Sequence, residues 1–249
     1  MISIQQLTKV YNKGKENEVM AMNALDLDIE AGEFVVIVGS NGSGKSTLMN
    51  MILGADRPDS GKIMVEGEDI SGLAQHRRSK WISMVFQNPS NGTASELSIL
   101  ENFRLASLRS GSKNLKIGMN AEFREKVFGL ISSLGMGLEN KLDQPMGSLS
   151  GGQRQALTLL MGVIDDTKIL LMDEPTAALD PRSSEVIIKL AEKINAEKGT
   201  TILLVTHSMK DALQYGNRLL MFQSGKLIKD IKEKEKIALS LPMLYDWFG

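Results

Sequence analysis

The chain has 249 residues, 42% of them hydrophobic and 24% charged, which is enough apolar material to bury a full core and excludes a disordered polymer. Its 29 Lys and Arg balance 30 Asp and Glu, for a formal charge of −1, so neither a nucleic-acid footprint nor a basic membrane-coating face is expected. The absence of cysteine excludes a disulfide framework and thiolate chemistry. The longest apolar runs, such as FVVIV at 34–38, fall far short of the ~20 residues that span a bilayer, and with no signal-type run at the start the chain is expected to stay inside the cell.

Along the chain, short β-branched apolar runs alternate with longer helical patterns, which predicts an α/β fold with a mostly parallel sheet covered by helices. A first strand ends near Tyr11, and FVVIVG at 34–39 reads as a buried strand leading into GSNGSGKST at 39–47 and a helix-compatible TLMNMIL. The densest basic spot, HRRSK at 76–80, reads as a solvated turn, and ISMVF at 82–86 as a strand followed by Gln87. From 88 to 150 strand-like runs disappear. SELSILENFRLASL and AEFREKVFGLISSLG read as helices, the second placing Phe123, Val127, Leu130, Ile131 and Leu134 on one face, so 88–150 is expected to be a helical subdomain inserted into the core. Strands are expected again at 168–174, 200–207 and 217–222, while the mixed-charge KDIKEKEK near the end reads as solvated. Trp81 and the 15 methionines are assigned to packing.

The strongest chemical signal is GSNGSGKST. It satisfies G-x-x-x-x-G-K-[ST] directly after a strand and before a helix, the context in which backbone N–H groups ring phosphates. Gly39, Ser40, Asn41, Gly42, Ser43, Gly44, Lys45, Ser46 and Thr47 form this cradle. The N–H groups of 42–47 would face the phosphates, Lys45 would bridge the β- and γ-phosphates, and the Ser46 hydroxyl would reach Mg²⁺. In ILLMDEP the apolar run delivers Asp173 and Glu174 to the carboxyl end of the sheet. Successive strand residues point in different directions, so Asp173 can hold the metal shell while Glu174 polarises the attacking water.

LSGGQRQ at 149–155 poses a puzzle: it is a second glycine pair ahead of a helix, with no lysine to meet a phosphate. With it in view, the chain resembles the nucleotide-binding subunit of ABC (ATP-binding cassette) transporters over residues 1 to about 230. The motifs fall in the family's order: Tyr11, GSNGSGKST, Gln87 in VFQNP, LSGGQRQ, ILLMDEP, AALD at 177–180, and His207 in VTHS. The resemblance implies one ABC ATPase domain over 1–249, with an α/β core from 1–87 and 151–230, an N-terminal antiparallel β region, the 88–150 helical insert and a C-terminal tail over 231–249. It also answers the puzzle. Two cassettes pair head to tail, and Ser150, Gly151, Gly152 and Gln153 of one copy close over the ATP held by the other, whose own lysine serves.

In the remaining roles the resemblance implies, Tyr11 stacks on adenine, Gln87 senses Mg²⁺ and water, His207 contacts the γ-phosphate, and Asp180 organises the pairing around the nucleotide. It further implies a membrane permease as partner, an extracytoplasmic substrate-binding protein, import as the direction, and a location on the cytoplasmic face of the membrane through the permease. Departures from the common family pattern are QALTLLMGVI after the signature, AALD and Ser208; none removes a catalytic group. Together with NPSNGTASELSILENF and DALQYGNRLLMF they are similar to a bacterial branch of importer ATPases linked to binding proteins for aromatic amino acids. Soluble relatives acting in DNA repair or translation carry a long coiled coil or two cassettes, and about a hundred residues between the P-loop and the signature leave no room for the former. A regulatory subunit without turnover would lack a catalytic group, whereas Lys45, Asp173, Glu174 and His207 are all present.

Overall fold

A computed structural model of the chain describes residues 1–109 and 118–247; residues 110–117 of the expected helical insert and 248–249 of the expected tail lie outside the described residues. β1 (Ile2–Tyr11) and β2 (Val19–Ile29) pair antiparallel. β3 (Phe34–Gly39) is buried throughout and runs by way of the glycine loop into α1 (Lys45–Leu53). β4 (Ser60–Val65) and β5 (Glu68–Asp69) complete a four-stranded antiparallel sheet of order β2-β1-β4-β5. A single turn, α2 (Gln75–Arg78), leads to β6 (Ile82–Val85), and α3 (Ile99–Ser107), α4 (Ala121–Ser132) and α5 (Gly151–Gly162) follow. The chain then alternates through β7 (Ile169–Asp173), α6 (Pro181–Lys198), β8 (Thr201–Val205), α7 (Met209–Gln214) and β9 (Arg218–Gln223). It closes with β10 (Lys226–Lys232), α8 (Glu233–Lys236) and α9 (Leu241–Asp246).

The second sheet has the order β10-β9-β3-β8-β7-β6, parallel from β6 to β9, with β10 antiparallel at one edge. Its parallel strands, β3 and β6 to β9, show no polar alternation because both faces are covered. Phe34, Val36 and Val38 of β3 join one core with α5 and α6, while Val35 and Ile37 join another with α1 and the antiparallel sheet. Leu170 and Met172 of β7 divide from Ile169 and Leu171 in the same way. Strand order then decides the site. Moving across the carboxyl edge from β3 through β8 and β7 to β6, one meets the glycine loop, His207, the Asp173–Glu174 pair and Gln87 in turn.

The expected α4 face is present: Val127 and Ile131 are buried, with Phe123, Leu130 and Leu134 packed on the same core. α3 starts with a reciprocal cap between Ser98 and Glu101. Two expectations need correction. HRRSK is not wholly a solvated turn. Arg78 is completely buried, and its guanidinium donates to Met51 O, Ile52 O, Leu73 O and Ser71 O at 2.6–3.0 Å. A cation there satisfies carbonyls at the end of α1 that have no helical partner and meets the negative end of that helix.

KDIKEKEK is likewise not a free solvated run. Its first residues form part of edge strand β10, where Asp230 receives two hydrogen bonds from the buried Arg218, both 2.7 Å. Its last residue, Lys236, is buried with its ammonium on Tyr215 O and Gly216 O. β10 escaped the sequence pattern because it is an edge strand whose burial alternates with exposed lysines.

Candidate active site

β3 ends at Gly39, and the loop after it turns back so that Lys45, the first residue of α1, reaches across it: Nζ donates to Gly39 O at 2.7 Å and Ser40 O at 3.0 Å. Gly44 holds φ 105°, and a Cβ there would lie 2.4 Å from Ala21 O, so the residue must be glycine for both reasons. The loop is braced from behind by the β9–β10 turn, where Gly225 N donates to Ser43 O at 3.0 Å and Asn23 N to Gly225 O at 2.9 Å. Burial holds the Lys45 ammonium below the usual lysine range, and the carboxylates of Glu174 and Asp173 oppose that shift.

Those carboxylates arrive from β7. Asp173 is the last residue of the strand, and burial, followed by the charge of Glu174, raises its carboxyl above the ordinary range; Ser46, Lys45 and His207 act in the other direction. Asp173 Oδ1 is buried with no hydrogen-bond partner among the described residues, and so is Ser43 Oγ. A buried acceptor left in this state is costly unless a cation or donor meets it. With the Ser46 hydroxyl beside it, the Asp173 carboxylate would fit a hard divalent cation, and the nearby Lys45 ammonium would suit a phosphate. Glu174, one residue further on, sits at φ 46°, a left-handed conformation rare for a non-glycine residue. Its N–H donates to Val205 O at 3.0 Å, and its Oε1 lies 2.7 Å from His207 Nε2.

The other expected residues fall into two groups. Tyr11, at the end of β1, stands beside the loop: its hydroxyl donates to Asp56 Oδ2 at 2.6 Å and neighbours Thr47, while burial followed by Asp56 holds its pKa high. Gln87 is exposed just beyond β6, on the same edge. Asp180 and the LSGGQ residues have local duties. Asp180 caps α6, accepting from Arg182 N and Ser183 N at 3.1 and 3.0 Å, with Pro181 in the first turn. Ser150 caps α5 in a reciprocal box with Gln153. Of the glycine pair, Gly152 is buried and a Cβ would lie 2.6 Å from Ser183 Oγ, whereas Gly151 is exposed and a Cβ would meet only Leu179 at 3.5 Å. Packing within the chain therefore requires Gly152 but not Gly151.

Sequence reasoning passed over Gln155, which lies one turn inside α5 and is completely buried, with Nε2 donating at 2.9 Å to both Phe86 O and Pro175 O. The signal that could have found it is its polarity on a helix buried from residue 155 to its end.

A phosphate loop facing paired acids across the carboxyl edge of a parallel sheet makes this a P-loop nucleotide hydrolase. Comparison with known proteins narrows the class: the ABC transporter family model matches residues 22–177, and the chain belongs to that family. It is 41% identical over 250 residues to the tyrosine transport ATP-binding protein of Clostridioides difficile (strain R20291), an alignment covering 100% of this chain and 98% of that protein. It is 36% identical to the macrolide export ATP-binding/permease protein MacB of Hyphomonas neptunium, over 97% of this chain and 36% of that larger protein. Among solved structures, the dimeric post-hydrolysis state of the ATP-binding cassette MJ0796 bound to ADP and Pi matches with a TM-score of 0.80 and 30% identity, over 94% of this chain and 99% of that one. The chain is thus an ABC transporter ATPase subunit that converts ATP and water to ADP and phosphate and couples this to transport across a membrane. Among the described residues no helix is long and apolar enough to cross a membrane.

Proposed function

We propose that two copies of the chain pair head to tail around two Mg-ATP, and that the pair drives import through a separate membrane permease supplied by an extracytoplasmic substrate-binding protein. The observation that carries the pairing is the exposed, capped start of α5. Gly151 is a glycine that the chain's own packing does not use, at a helix N-terminus suited to an anion. A phosphate held by the partner copy supplies that anion, and the dimeric relative with ADP and Pi supports the arrangement.

In this reading the N–H groups of 42–47 and Lys45 grip the phosphates, Tyr11 stacks on adenine, and Ser46, Asp173 and Gln87 hold Mg²⁺. When bound, Mg²⁺ supplies charge neutralisation on the phosphate oxygens. Glu174 accepts the proton of the attacking water, and His207, whose Nε2 stands 2.7 Å from Glu174 Oε1, orients that carboxylate and turns toward the γ-phosphate. Ser150, Gly151, Gly152 and Gln153 complete the partner's site, with Asp180 of each copy at the seam.

For coupling to the membrane, we divide the chain into a core (1–87 and 151–230), a helical subdomain (88–150) and a tail (231–249). A groove of about 350 Å³ lies where the first two meet, lined by Ser83, Asn91, Gly92, Asn102, Leu105 and Arg109 among others. Leu105 is 51% exposed there, an apolar anchor for a permease helix. Docking in this groove would hold the subunit on the cytoplasmic face of the membrane. Import is supported by likeness to the methionine import ATP-binding protein MetN of Photobacterium profundum, 35% identical over 92% of this chain and 64% of that protein. The test of pairing is ATPase activity across a wide dilution series: turnover per chain rises with protein concentration if the partner's signature completes the site. Constant turnover per chain with no dimer detected is the contrary result.

A further inference from the structure

We infer that Gln155 is a positioning residue for hydrolysis, a carboxamide by which the signature helix sets the relative placement of Gln87 and Glu174. The inference deepens the proposed reading and rests on those two residues serving one hydrolytic site. Gln155 lies one turn inside α5, below the Ser150–Gln153 cap, and is fully buried. Its Nε2 gives one hydrogen bond to Phe86 O, the carbonyl just before Gln87, and another to Pro175 O, the carbonyl just after Glu174, each at 2.9 Å. With carbonyl oxygens as both partners, only the amide nitrogen can face them, so the orientation of the group is settled by chemistry. Gln155 Oε1 is buried with no partner among the described residues. The two N–H bonds are therefore what the side chain contributes, and a buried amide with one oxygen unsatisfied is a costly choice for mere space filling.

The placement matters because of Glu174. At φ 46° its backbone is strained, and such a conformation persists only where its surroundings over-determine it. On one side the chain is held by Glu174 N on Val205 O at 3.0 Å. On the other side Gln155 holds Pro175 O. If the second tie is released, the backbone can relax and carry the carboxylate away from His207. From the same turn of α5, Arg154 donates to Ser90 Oγ at 2.9 Å and Gly147 O at 3.0 Å, adding a tie from the helix to the segment that follows Gln87. A shift of the signature end of α5 is thereby passed to both sides of the hydrolytic site, while the phosphate loop, held by β2 and the β9–β10 turn, is untouched.

The test is Gln155→Met, which keeps length and volume but has no donor, with Gln155→Glu as a second variant that sets carboxylate oxygens against the two carbonyls. Both are measured with Mg-ATP for kcat, KM and thermal midpoint, and by amide hydrogen exchange. The expected result is a kcat lower by on the order of tenfold, from two lost neutral hydrogen bonds, with KM within about twofold of the parent. Exchange should quicken at 86–92 and 174–179 and stay unchanged at 39–47. Parent kcat in either variant, a loss expressed mainly in KM, faster exchange throughout the fold, or melting below the assay temperature would each overturn the inference, the last two in favour of plain packing. Absence of ATP turnover in the parent, or parent-like turnover in Glu174→Gln, would instead overturn the hydrolytic-site reading on which it rests.

Discussion

Glu174 carries the most consequential geometry of any single residue: a left-handed backbone, a strand-end location and an Oε1 2.7 Å from His207 Nε2. Glu174→Gln retains an oxygen beside His207 and leaves the glycine loop intact, but removes the carboxylate that we propose as proton acceptor. We expect kcat to fall by at least about a hundredfold, the scale of a positioned general base, with ATP affinity within about threefold of the parent and ATP persisting in a paired form. Calorimetric ATP titration and size-exclusion chromatography with and without Mg-ATP check this, and parent-like turnover would remove Glu174 from the chemistry. At this scale the sequence was most readable where a motif is contiguous. Lys45, Ser46, Asp173 and Glu174 were found because the phosphate loop and the strand-end acids each require their residues side by side. Arg78, Gln155 and Lys236 were missed because their partners are backbone carbonyls, which every residue possesses and no pattern marks.

Among the elements, the tail shows how a charged run can be folded in. α8 places Lys236 beneath the end of α7, where burial lowers its pKa to about 8 and Glu192 opposes the shift. An unfolded lysine titrates near 10.4, so between those values the unfolded chain keeps the proton that the folded chain has released. Stability should therefore rise with pH from about 8 to about 10, and the full cost of burying the charge should be present below 8. The gain is on the order of 2–3 kcal/mol. Urea unfolding across that range should show this slope in the parent and little of it in Lys236→Met; equal slopes would mean that Lys236 is not the group responsible. The N-terminal sheet and β10 were the least legible elements. β1 and β2 carry shifts of register, and β10 alternates with lysine on its open face, so period-2 burial is broken in the first case and masked in the second.

At the scale of the whole molecule, the head-to-tail pair makes a claim that no single copy can satisfy. A chain with no cysteine of its own allows a clean test with Asn41→Cys and Ser150→Cys, both at exposed positions. We expect a mixture of the two single variants, carried in the Glu174→Gln background with Mg-ATP, to form a disulfide-linked dimer on mild oxidation, and either variant alone to form little. Linking within the Asn41→Cys chain alone would indicate head-to-head pairing, and no linking at any ATP concentration would count against the pair. Non-linking of single variants is informative because the two loops exchange partners only when the copies face opposite ways.

By itself the sequence determined the class of chemistry and most of the central sheet. The phosphate loop, the strand-end acids and the LSGGQ helix start are local devices, each built from neighbouring residues whose backbone conformations or side chains the chemistry demands. Runs such as FVVIV and ILLM are uniformly apolar for one reason, that the strands are covered on both faces. Tertiary structure alone decided how these pieces stand to one another. Strand order β3-β8-β7-β6 lines up loop, histidine, acids and Gln87, and a parallel sheet pairs strands distant in sequence, so no spacing along the chain encodes that order. The same holds for Gln155 bridging residues 69 and 20 positions away and for Arg78 closing α1. In each case a polar side chain was selected by the carbonyls that folding brought to it, and those carbonyls are invisible until the backbone is in place.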